Sequence, residues 1–181
     1  MSTIARLDAL VLSGDLHDWS SPLGEPTARL RRFIVTNEVK TELEKTPWAG
    51  GLFESDAQAE ERRVRVHAMI NQFVQGDNLT FGKLHQDADL KALKPMERVP
   101  DWRIFALRPW KSARLTRILG EFAAKDVFVA LAIAPRQILG DWNKLMGRAD
   151  ATWLRLFPNY PPMTFEHAPT SADIGSNYDD L

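Results

Sequence analysis

Three apolar runs separated by two short polar breaks constrain the fold of this chain more than any other feature. They lie in residues 102–142, WRIFALRPWKSARLTRILGEFAAKDVFVALAIAPRQILGDW, and cover 102–107, 115–122 and 127–133. Val, Ile, Phe and Trp, which fit a pleated and half-buried surface, are common in them. The breaks, 108–114 and 123–126, have lengths suited to hairpin loops. This pattern predicts an antiparallel three-strand meander. Arg103, Arg108, Lys111, Arg114 and Arg117 decorate its first two strands and their connection, and Arg136 follows the third. A cationic rim on a small sheet suits a phosphate-rich ligand. It equally suits a solvated edge whose charges keep strands from pairing wrongly.

Charge separates these alternatives only locally. The chain of 181 residues carries a formal net charge of −1, which counts against a general nucleic-acid coat. Between Lys91 and Arg117, however, eight basic side chains face only Glu97 and Asp101, leaving +6. The acids gather around 38–61 and in the C-terminal tail. With 44% hydrophobic and 26% charged residues, the composition is that of an ordinary globular domain with a sizeable core. There is no cysteine, so disulfides, thiolate metal sites and a cysteine nucleophile are excluded, and a reducing cytoplasm is compatible. No apolar run approaches the roughly 20 residues of a membrane helix, and no secretory leader is expected.

In chain order, Ile4, Leu7, Leu10 and Val11 predict a short amphipathic helix stopped by Gly14. Gly14, Pro22, Gly24 and Pro26 then predict a loop, with Trp19 packed on the domain. A strand is expected over 29–35. A helix over 38–45 follows it, capped by Thr36 or Asn37. Asp56 is the expected cap of the next helix, 57–75, whose Met69, Ile70, Phe73 and Val74 form a core stripe. His67 on that helix is expected to pack or be solvated rather than bind metal, since no second His stands at i+4. After the meander, Ile138, Leu139, Trp142, Leu145 and Met146 predict a helix over 136–156, weakened at Gly140 and Gly147. The expected organisation is an N-terminal helix and loop (1–28), an α+β domain (29–157) and a proline-rich tail (158–181). The α+β domain is expected to hold a small antiparallel sheet, strand plus meander, with helices packed on one face.

The order strand, helix, helix, three-strand meander resembles the RelE/ParE superfamily of bacterial type II toxins. The matching features are Lys83-Leu84 ahead of the meander, Trp102–Arg108 in its first strand, Leu115–Leu119 in the second, and the run from Val127 to Arg136. RelE-like members carry a Lys before the meander, an Arg opening its second strand, an Arg after the third, and an aromatic residue, usually Tyr, six positions on. Those positions correspond to Lys83, Arg117, Arg136 and Trp142.

The resemblance implies a cytoplasmic endoribonuclease that cleaves mRNA, often on the ribosome, and is held in check by a cognate antitoxin protein. The ribose 2′-OH loses its proton to a base and attacks the adjacent phosphate while the bond to the 5′-oxygen breaks and an acid protonates that leaving oxygen, and no cofactor or metal is expected. Arg117 and Arg136 would clamp the phosphate through their planar forks. Lys83, with a pKa lowered by neighbouring positive charge, or His85 would act as base. Arg103, Arg108, Lys111, Arg114 and Trp142 would contact RNA. Trp142 departs from the pattern, because an indole stacks on a base but cannot shuttle a proton. The alternatives are a ParE-like inhibitor that binds DNA gyrase, and a member that binds RNA or protein without chemistry.

Overall fold

The structure, a computed structural model, describes residues 2–19, 29–46, 48, 54–77, 79–81, 93–95, 103–107, 116–135, 142–165, 169, 171–175 and 178–180. Helix α1 (Thr3–Ser13) begins where the Ser2 side chain accepts the Ala5 N–H, and buries Leu7 and Leu10. It ends at Gly14, whose φ of 80° is the left-handed conformation a helix C-terminus favours and only glycine adopts cheaply. Strand β1 (Leu16–Asp18) pairs antiparallel with β2 (Arg32–Thr36). Thr36 then caps α2 (Asn37–Glu44) by accepting from Val39 N, as expected. Helix α3 (Asp56–Gln75) starts one residue earlier than the sequence suggests. Ser55, rather than Asp56, is the cap, and Gln58 reaches back to complete a capping box.

The meander is present as β5 (Ile104–Leu107), β6 (Thr116–Ala124) and β7 (Val127–Pro135), paired antiparallel in sequence. Lys125 and Asp126 make the β6–β7 turn. Asp126 has a φ of 60°, a conformation an Asp side chain tolerates. Its carboxylate accepts from Arg31 Nε at 3.0 Å. Short strands β3 (Leu79–Phe81), β4 (Leu93–Pro95) and β8 (Tyr178–Asp180) extend the sheet to eight among the described residues, in the order β1-β2-β7-β6-β5-β4-β3-β8. Helix α4 (Trp142–Leu156) runs unbroken through Gly147, and α5 (Ser171–Ile174) follows.

Two expectations about the sheet and its cover are also corrected. The sheet is mixed rather than antiparallel, because β2 runs parallel to β7. Parallel neighbours need a long crossover, and the helices after β2 belong to one. The helices also cover both faces rather than one. On one side α2 and α3 pack Val39, Leu43, Ile70 and Phe73 against Phe33, Phe105, Phe122 and Phe128. On the other, α1 and α4 pack Leu7, Leu10, Leu145 and Trp153 against Ile34, Ile104, Leu119 and Val129. The reason is legible in the strands. All four residues of β5 are buried, and so is every residue of β6 up to Ala123. A strand with no polar alternation is one whose two faces both need cover. The chain after α4 is docked as well. Met163 N donates to Phe122 O at 2.8 Å, Phe165 packs edge-on to Phe105, and Ile174 is fully buried.

Candidate functional site

Strand register defines the two ends of the meander. At one end Leu107 stands opposite Ile118, and Thr116 opposite Pro135. At the other, Ile104 stands opposite Glu121. Arg117 belongs to the first end and Arg103, one residue before Ile104, to the second, five residue steps along the strands or roughly 16–17 Å at the usual rise. The register therefore does not bring these two arginines together.

Arg117 is 5% exposed, and its Nη1 donates to the carbonyl of Thr116 at 3.0 Å. Alternation along β6 directs it, with Leu119, Glu121 and Ala123, to the face that α1 and α4 cover. Arg103 is ion-paired: its Nη2 donates to Asp150 Oδ1 on α4 at 2.6 Å, with the two side chains 23% and 28% exposed. Trp142 is the first residue of α4. Lys83, His85, Arg108, Lys111, Arg114 and Arg136 lie outside the described residues.

Sequence reasoning missed Glu121. This side chain is fully buried, and among the described residues neither carboxylate oxygen has a hydrogen-bond donor. Burial raises its pKa to about 9. The Arg103 charge opposes the rise and the Asp150 charge adds to it. Glu121 is therefore a neutral carboxylic acid at pH 7, set beside an ion pair. A signal was available, since Glu121 is the one acid between Leu115 and Ala124, a run otherwise rich in apolar residues. Arg103 and Asp150 line a groove of about 340 Å³ between α4 and residues 157–162.

The opposite face is tied by a second buried arginine. Arg62 on α3 donates from Nε and Nη2 to the two oxygens of Glu54, at 3.0 and 2.8 Å. Its Nη1 donates to Thr116 Oγ1 at 3.0 Å, and its guanidinium lies 4.8 Å from the Trp48 ring centre. His67 is fully buried, 5.6 Å from Trp19 ring to ring, with Nε2 3.1 Å from Leu43 O. Burial lowers its pKa, so it is a packed neutral imidazole. Among the described residues no cluster of His, Asp and Glu could hold a metal ion, and no helix is long and apolar enough to cross a membrane.

No family model matches this chain, and neither does any curated protein or solved structure.

Proposed function

We propose that the chain is a RelE-like toxin of a type II toxin–antitoxin pair, an endoribonuclease that cleaves mRNA on the ribosome in the cytoplasm. One observation carries the reading. The elements β2, α2 and α3 precede an antiparallel β5–β6–β7 meander, and at one end of it Leu107, Thr116 and Pro135 come together by register. Leu107 is covalently joined to Arg108, Pro135 to Arg136, and Thr116 to Arg117. Bonded Cα atoms are about 3.8 Å apart, so this supports a common cationic end. In this reading Arg136 holds the scissile phosphate with help from Arg108, Lys111 and Arg114. Arg117 adds positive field from beneath, and Lys83 or His85 takes the 2′-OH proton. A cognate antitoxin would cover the same end.

The burial of Arg117 favours a second reading, a member that binds without cleaving, either a ParE-like gyrase inhibitor or an RNA- or protein-binding module. Purified protein, freed of any antitoxin, added to a cell-free translation reaction and to a gyrase supercoiling assay tells them apart. The first reading expects translation to stop with new mRNA 3′ ends and supercoiling to continue. Intact mRNA with supercoiling blocked would replace it by the gyrase reading. Intact mRNA with supercoiling unaffected would leave the binding module.

A further inference from the structure

The groove lined by Arg103 and Asp150 has two walls. Asp150, Trp153, Leu154 and Phe157 line it and recur at the spacing of one helix face. Residues 157–162 fold back to make its other wall. Trp153 Nε1 donates to Tyr160 O at 3.0 Å, and Tyr160 N donates to Phe157 O at 3.0 Å. Leu154 is 55% exposed at its mouth. Its volume, about 340 Å³, falls in the range of small-ligand sites.

Its polar end selects among ligands. Arg103 and Asp150 cancel each other's charge, and Glu121 behind them is neutral. An anion drawn to Arg103 meets Asp150, and a cation drawn to Asp150 meets Arg103. Asp150 receives its bond at Oδ1, and among the described residues its other oxygen accepts none. The Nε of Arg103 is buried, so a ligand in the groove meets the exposed remainder of that side chain rather than this atom. An uncharged planar ring that presents an acceptor next to donors complements this pair and suits the surrounding proline, leucine and tyrosine surfaces. Guanine does so: its O6 and N7 accept from arginine, and its N1–H and N2–H donate to a carboxylate.

We infer that this groove binds a guanine base, held edge-on by Arg103 and Asp150 against the wall of residues 157–162. The inference rests on the RNA reading for its biological source, the base belonging to the mRNA engaged at the far end of the meander. It does not rest on cleavage.

The test is titration of ¹⁵N-labelled protein with GMP, AMP and CMP, which share one phosphate and differ in the base. The Trp153 indole N–H signal reports the groove. GMP is expected to shift that signal and to bind at least tenfold more tightly than AMP or CMP. Asp150→Asn should remove that preference. Leu154→Arg, at an exposed position that leaves the fold intact, should block binding. Equal affinity for the three nucleotides would mean that phosphate alone is held and would overturn the inference. So would no shift at all. Neither ribosome nor cleavage enters this readout. GMP binding without mRNA cleavage would remove the proposed function alone, and cleavage without GMP binding would remove the groove alone.

Discussion

Arg103, immediately before β5, donates to Asp150 on α4 at 2.6 Å, and this bond ties the sheet to the helix that covers it. The pair is half-buried, so it is less screened than a surface ion pair. A double-mutant cycle of Arg103→Met and Asp150→Asn should give a coupling of about 1–2 kcal/mol in urea denaturation. A coupling near zero would mean the bond contributes no stability.

Glu121 makes stability depend on pH in an unusual direction. Its folded-state pKa is raised to about 9, far above that of an unfolded-chain carboxyl. Between the two values the folded protein binds a proton that the unfolded chain has lost. Glu121 therefore stabilises fully below about pH 4.5, and that contribution declines as pH rises toward 9, by roughly 1.4 kcal/mol per unit. Glu121→Gln should remove this slope and be the more stable protein at pH 8. Denaturation curves for both at pH 5, 6.5 and 8 measure it, and parallel pH profiles would refute the neutral buried acid.

Gly120 is required by a close approach of strand to ring. A Cβ built there stands 2.5 Å from Phe128 Cζ and clashes with the Val129 carbonyl oxygen. Phe128 is fully buried among Phe33, Phe73 and Phe122, so it has nowhere to retreat. Gly120→Ala should cost about 3 kcal/mol or more, read by thermal or chemical denaturation. A loss within 0.5 kcal/mol would contradict the packing described.

Arg62 and Glu54 form a buried pair, 9% and 7% exposed. Removing one partner strands the other's charge. Glu54→Ala should therefore destabilise by about 3–5 kcal/mol, while the double change Glu54→Leu, Arg62→Met should recover much of that loss. Equal losses in the two variants would show that packing, not charge, dominates there.

The fold was legible in the sequence where patterns are local. The runs that became β5, β6 and β7, the α1 stop at Gly14 and the α2 cap at Thr36 all follow from short-range rules. What escaped is what local patterns do not encode. The direction of β2 against β7 depends on a crossover through several elements. Cover on the second face depends on residues as distant as Leu7 and Trp153. A reading that saw Arg103 and Arg117 as a common rim could not know that register separates them and that Asp150 claims one. Glu121 was visible as a lone acid in an apolar strand, but its neutrality comes from Ile104, Val129 and α4 closing over it. Lys83, His85, Arg108, Lys111, Arg114 and Arg136 fall outside the described residues.

The central claim is that the arginine end of the meander cleaves mRNA. Single-turnover cleavage of an mRNA on programmed ribosomes by the antitoxin-free protein tests it most directly, with Lys83→Ala, His85→Ala and Arg136→Ala alongside. The account predicts cleavage by the wild type and a loss of roughly 10²–10³-fold in rate for Arg136→Ala, larger than its loss in RNA binding. It also predicts an altered pH–rate profile for whichever of Lys83 and His85 is the base. An mRNA left intact by the wild type under these conditions would contradict it.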